Sequence, residues 1–166
     1  MPTTVRPAGP AEHAAVAELT ARVYRGEGYS SARYEPALRD VASRAASATV
    51  LVAVEGTGEA GRVVGAVTVA TRGGEWAEQS GPGEAVVRML VVAPEARGTG
   101  TGEALVRACL ERARQDGCTR VRLSSQEDMT AAHRLYERLG FVRTPSQDWS
   151  PVPGVDLLAY GLALED

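Results

Sequence analysis

Six residues, Arg97-Gly98-Thr99-Gly100-Thr101-Gly102, carry the plainest chemistry in the chain. They follow an apolar run that stops at Pro94 and precede a helical pattern that begins near Thr101. Alternating glycines let main-chain N–H groups approach an anion with no side chain in the way. A helix N-terminus adds unsatisfied donors and about half a positive charge. Arg97 contributes a guanidinium that can face a phosphate. A pyrophosphate is the natural guest of such a turn. Two familiar phosphate motifs are excluded. The dinucleotide fingerprint G-x-G-x-x-G, counted from Gly98, requires glycine where the chain has Glu103. The Walker loop requires lysine, and all 18 basic residues here are arginine.

The absence of lysine also removes Schiff-base chemistry. Cys109 and Cys118 lack the close paired spacing of a zinc site, and His13 and His133 have no accompanying ligand pattern, so no metal is expected. A formal charge of −3 argues against general nucleic-acid binding, which needs a basic footprint. No apolar run approaches the roughly 18 residues of a membrane span. Met1 to Pro10 has neither the apolar core nor the cleavage pattern of a signal peptide, so the expected address is the cytoplasm. With 166 residues, 44% hydrophobic and 23% charged, residues 1–166 read as a single globular domain.

The elements that must hold the turn follow from periodicity. Thr3–Arg6 reads as a short strand. Pro10 opens a helix with Val16, Leu19 and Val23 at helical spacing, broken at Gly26 and Gly28. A second helix is expected over Ala32–Ala46, capped by Ser30 or Ser31 and burying Leu38 and Val41. Val50–Val54 and Val63–Val69 form a hairpin across Gly56, Gly58 and Gly61. A polar loop from about Thr71 to Gly83 leads into a strand over Glu84–Val92, which Pro94 ends. A helix to Asp116 buries Val106, Cys109, Leu110 and Ala113, with Gly117 as its left-handed cap. Val121–Ser125 is a strand. Thr130–Leu139 is a helix with Ala132, Leu135 and Leu139 on one side and Gly140 as cap. Phe141–Arg143 and Val155–Leu164 close the sheet. The order describes one α/β domain with a mixed sheet.

Two motifs then resemble the GCN5-related N-acetyltransferase (GNAT) superfamily. Its pattern is an apolar strand ending V-x-P, then R/Q-x-x-G-x-G/A opening a helix; here Leu90-Val91-Val92-Ala93-Pro94 precedes Arg97-x-x-Gly100-x-Gly102. Its later A-x-x-L-Y-x-x-x-G-F is matched by Ala132 through Leu135-Tyr136 to Gly140-Phe141. The match is close from about Glu84 to Phe141, and before that only in the order of elements. The resemblance implies a mixed, mostly antiparallel sheet of about seven strands with about four helices, splayed at two parallel central strands. It implies an acetyl-CoA-dependent N-acetyltransferase with no metal.

The resemblance also assigns roles. Strands around Val92 and Val121 part, and the pantetheine arm enters between them, pairing with main-chain groups of Leu90 and Val92 as an added strand would. A main-chain N–H near Leu90 or Val91 polarises the thioester carbonyl. The pyrophosphate rests on the amides of Gly98, Gly100, Thr101 and Gly102, with Thr99 in the same turn and Arg97 beside it. Tyr136 is the expected general acid. A phenol near pKa 10 can protonate a departing thiolate whose conjugate acid lies near 8.5. The general base of many relatives is a glutamate on the strand before V-x-P. That position is Val86 here, which makes Glu84, on the same strand face, the nearest substitute, with Glu75 and Glu78 as alternatives. Relatives often have asparagine seven residues before the tyrosine, where this chain has Met129; His133 is the candidate to face CoA instead.

The acceptor site is expected from three segments: Tyr24–Tyr34, Arg72–Gly83 and Thr144–Gly154. They hold Trp76 and Trp149 with Glu27, Glu75, Glu78 and Asp148, a mixture that suits a cationic small-molecule amine. A protein or peptide acceptor and a non-catalytic acyl-CoA-binding module are the alternatives. Neither nucleic acid nor membrane is an expected partner. Acetyltransferases of this type often pair through their C-terminal strands, so a homodimer is compatible with the resemblance.

Overall fold

A computed structural model describes residues 3–26, 40–56, 61–71, 83–126, 129–152 and 155–164. Edge strand β1 (Thr3–Pro7) leads through a 3-10 turn at Pro10–Glu12 into helix α1 (His13–Gly26). The turn is closed by Glu12, whose carboxylate accepts from the Gly9 N–H at 2.8 Å and takes both Arg6 Nη atoms at 2.7 Å. The next described helix, α2, covers Val41–Ser47. Inside the expected span, Asp40 leaves helical geometry and its carboxylate accepts from the Ser43 N–H at 3.2 Å, an N-cap; the expected start at Ala32 lies outside the described residues. The expected caps Ser30 and Ser31, and Leu38, lie outside the described residues; Val41 is buried as expected.

Strands β2 (Thr49–Glu55), β3 (Arg62–Ala70) and β4 (Glu84–Val92) continue the sheet. Helix α3 (Thr101–Gln115) then crosses to β5 (Arg120–Gln126), followed by α4 (Thr130–Arg138), β6 (Val142–Arg143), β7 (Trp149–Val152) and β8 (Val155–Ala163). The sheet order is β1-β2-β3-β4-β5-β8-β6, with β7 also on β8. Only β4 and β5 are parallel. That pair needs a crossover, and α3 supplies it. Eight strands are described rather than about seven, because the expected acceptor segment after Thr144 contributes β7.

β3 is buried at every residue from Val64 to Ala70, so both faces of the sheet are covered. α1 and α2 lie on one face; α3 and α4 lie on the other. The side of β3 that meets α3 is fixed by Gly65. A Cβ there would fall 2.9 Å from Leu105 Cδ1 and 3.2 Å from Thr101 Cγ2, so only glycine lets the start of α3 seat this close. Leu105, Val106, Cys109, Leu110 and Ala113 of α3 enter the core. Gly117 and Gly140 cap α3 and α4 with φ of +79° and +99°, as the sequence indicated.

Candidate active site

The phosphate turn is built at the exit of β4. The Ala93 N–H donates to the Val64 carbonyl at 2.8 Å, and Pro94–Ala96 makes a 3-10 turn. Gly98 and Gly100 then adopt left-handed φ of +77° and +83°. A Cβ on either would meet nothing within 4 Å. These glycines are therefore required by backbone conformation and by open approach from outside, not by packing. Thr99 Oγ1 donates to the Ala96 carbonyl and lies 2.9 Å from Thr101 Oγ1, tying the turn to the first residue of α3. Gly100 is the N-cap and no side chain caps the helix, so the first-turn donors and the positive end of the dipole face outward. Glu103 would oppose an anion there, but Arg107 and Arg138 draw its carboxylate aside at 3.3 and 3.4 Å. Arg97 is exposed beside the turn. A Cβ on Gly102 would touch Leu135 of α4 and Val92 of β4 at 3.4 and 3.6 Å. Leu135 is thus the α4 side chain nearest the turn, a position periodicity had assigned only to packing.

Between β4 and β5 the sheet opens. Parallel pairing joins Glu84–Val87 to Arg120–Leu123, and no ladder joins Arg88–Val92 to Ser124–Gln126. On its other side β4 stays paired to β3, with a bulge: Ala66 faces Val91 and Thr68 faces Arg88, so Met89 and Leu90 together oppose Val67. Met89 has φ of +55°, the one positive value for a non-glycine among the described residues. Such a residue costs about 1–2 kcal/mol, and the strain is stored where Leu90, Val91 and Val92 border the gap. Leu90 and Val92 are half-buried, and Val91 is buried.

α4 brings Tyr136 into the wedge between α3 and β8. Its side chain is buried, with ring centroids of Phe141 and Tyr160 each 5.9 Å away. Burial above all, then neighbouring Cys109 and Tyr160, raises its proton affinity well above that of an ordinary phenol. Burial likewise pushes the Cys109 thiol up to about 12. Tyr136 is therefore a neutral O–H at physiological pH, holding its proton more tightly than an ordinary phenol does. His133 packs its ring 5.6 Å from Tyr160. Met129 occupies the N-cap of α4, and its sulfur accepts from Ser125 Oγ at 3.4 Å.

The carboxylates are placed differently from the aromatic and glycine residues. Glu84 lies at the closed end of the β4–β5 pair, 3.7 Å from Arg120 Nε and 3.7 Å from Arg122 Nη1. Six residues separate it from Leu90, about 20 Å of strand. Val86 packs with Ala70 and Ala48 in a small apolar patch. Asp148 is clasped by Arg143 at 2.8 and 2.9 Å and accepts from the Ala159 N–H at 2.7 Å, with its acidity strengthened chiefly by Arg143. Its acceptor lone pairs are committed to the β6–β7 connection. Trp149 donates from Nε1 to Ser124 Oγ at 3.2 Å, at the open end of β5. Glu27, Glu75, Glu78 and Trp76 lie outside the described residues.

Arg88 is the first β4 residue beyond the β4–β5 ladder and Arg122 lies on its next-to-last rung; neither was singled out from sequence. The signal was there: each is a charge between apolar neighbours, as in Val121-Arg122-Leu123. Among the described residues no cluster of His, Cys, Asp or Glu could hold a metal.

A parted parallel pair, a bulge beside it and an uncapped glycine turn at the next helix stand together at one end of β4. The model of the Acetyltransferase (GNAT) family matches residues 13–141, and the chain belongs to this family. A mycothiol acetyltransferase from Thermobispora bispora is 51% identical over 57 residues, which is 34% of this chain and 19% of that protein. The chain spans less than a third of the length of the curated relatives it matches. A GNAT-family acetyltransferase from Staphylococcus aureus superposes with TM-score 0.78 at 12% identity, covering 99% of this chain and 100% of that one. A putative acetyltransferase from Salmonella typhimurium, solved with its cofactor acetyl-CoA, has TM-score 0.71 at 21% identity, covering 99% and 95%. These two likenesses concern the fold.

Proposed function

We propose that this chain transfers the acetyl group of acetyl-CoA to the primary amine of a small molecule, by direct attack within a ternary complex, in the cytoplasm. The observation that carries this reading is the unpaired edge of β4 from Arg88 to Val92, set at the bulge and leading into the phosphate turn. Main-chain groups of Leu90 and Val92 pair with the pantetheine amides, and the α3 first turn with Gly98, Gly100, Thr101 and Gly102 receives the pyrophosphate, with Arg97 alongside. Acetyl-CoA supplies an activated acyl group. An N–H of Leu90 or Val91 polarises its carbonyl.

The amine nitrogen bonds to the carbonyl carbon, the carbon–sulfur bond breaks, Tyr136 gives its proton to the departing sulfur, and the nitrogen releases its surplus proton to solvent. The phenolate left on Tyr136 takes a proton from solvent after CoA leaves, so the step balances. Glu84 serves in this reading to hold Arg120 and Arg122 rather than to remove the amine's proton, since it sits at the closed end of the pair. The amine therefore reacts in its neutral form. The relatives named mycothiol acetyltransferase support a small acceptor.

The test is CoA-thiol release across amino acids, polyamines, aminoglycosides and peptides with acetyl-CoA. Release with at least one small amine is expected; tight acetyl-CoA binding without release for any acceptor would leave a binding module. The pH profile carries a second signature. Because burial raises the proton affinity of Tyr136, kcat should show no falling basic limb below about pH 10, the ordinary phenol value; a fall near pH 8 would remove Tyr136 as the acid.

A further inference from the structure

On the sheet face that meets α1 and α2, the site is basic. Thr68 pairs directly with Arg88, so both point to this face, opposite to Gly65 and α3. Val86 is two residues before Arg88, and its parallel partner is Arg122. Ser124, two residues after Arg122, continues the row beyond the last rung of the ladder. Arg88 and Arg122 are thus diagonal neighbours across β4 and β5, at the point where the strands part. Trp149, bonded to Ser124, adds an indole wall.

Arg122 is the informative residue. Its side chain is only 9% exposed, and a buried guanidinium costs several kcal/mol unless its donors are well met. Its ion pair is with Glu84 at 3.7 Å, longer than a hydrogen bond, and Glu84 is shared with Arg120 at the same distance. One carboxylate thus serves two guanidiniums, and among the described residues Arg122 makes no hydrogen bond to it. A guanidinium offers five donors in a rigid fork shaped for a carboxylate. Such a fork, nearly buried one rung before the strands part, suits an anion. About 10 Å of strand separates Val86 from Met89, a span that a small molecule can bridge between anion and amine.

We infer that the acceptor is a small amine carrying a carboxylate, of amino-acid type, whose anionic group docks on Arg122 beside Arg88 while its amine reaches the bulge at Met89 and Leu90. This rests on the transferase reading and reverses the cationic acceptor suggested by the acidic loops. Anchoring the anion at the floor of the cleft leaves the amine as the only end that can meet the thioester.

The experiment compares α- and ω-amino acids with their carboxamides as acceptors, using acetyl-CoA and CoA-thiol release. The free acid of the preferred pair should have kcat/KM at least tenfold above its amide. Arg122→Gln should raise KM for that acid at least tenfold, change kcat/KM for the amide less than threefold, and leave acetyl-CoA affinity and the far-ultraviolet spectrum unchanged. Arg122→Lys should recover part of the selectivity. Turnover with equal use of acid and amide, or selectivity that survives Arg122→Gln in the folded protein, would overturn the inference while leaving the transferase intact. Release to none of these acceptors, nor to polyamines or aminoglycosides, would remove the transferase reading and the inference together.

Discussion

The two halves of β4 are adjacent in sequence and opposite in use. Glu84 and Ala85 are paired to β5, Val86 and Val87 to both β3 and β5, and from Arg88 to Val92 the strand is paired to β3 only. The closed half holds the sheet together. The open half keeps main-chain donors and acceptors available, and its bulge carries the strained Met89. In the proposed reading, function comes from ladder bonds left unmade, and a strand can leave them unmade where a neighbour holds its other edge. β3 does so from Val86 to Val92.

That contrast can be broken at either half. For the transfer proposed at the open half, Tyr136→Phe on α4 should lower kcat about 10²-fold, the scale of a lost general acid, with acetyl-CoA affinity and Tm nearly kept; single-turnover kinetics with calorimetry checks both. In the closed half, Val87→Ala removes a side chain only 3% exposed. It should cost about 2 kcal/mol of stability with kcat per folded molecule unchanged, read by denaturant titration beside the activity assay.

Gly100→Val tests the turn that serves the open half. A β-branched residue at φ of +83° costs about 1–2 kcal/mol. Acetyl-CoA affinity should therefore fall roughly tenfold, with kcat at saturation little changed, as isothermal titration would show.

The smallest effect belongs to the clasp outside both halves. Asp148→Asn should cost under about 1 kcal/mol, because the Arg143 pair is partly exposed. Arg143 and the Ala159 N–H lower the carboxyl's folded pKa, so the stabilisation is complete above the unfolded value near 3.9 and fades as pH falls through the folded one. Wild type and variant should converge below about pH 3 in urea titrations.

Much of this was legible in the residues. Strands β2 to β4 announced themselves through valine-rich runs, and α3 through Val106, Cys109, Leu110 and Ala113, because burial on a fixed face leaves a period. The glycine turn was legible because left-handed backbone selects glycine. Elsewhere local signals misled. Asp40 starts a helix at Val41 where apolar spacing alone had placed it mid-helix, since its side chain caps the Ser43 N–H. Trp149–Val152 read as a loop because its strand character comes from pairing with β8, not from its own sequence. Glu84 looked like a base by strand parity, yet parity says nothing about which end of the strand opens.

The sequence by itself determined the fold family, the phosphate turn at Gly98–Gly102 and the tyrosine on α4, because each depends on residues close together in the chain. Tertiary structure alone decided where β4 and β5 part, that Glu84 lies at their closed end, and that Arg88 and Arg122 are diagonal neighbours at the parting point. Those facts depend on the register between strands thirty-six residues apart. Register is set by the packing of both sheet faces at once, and no local run of residues records it.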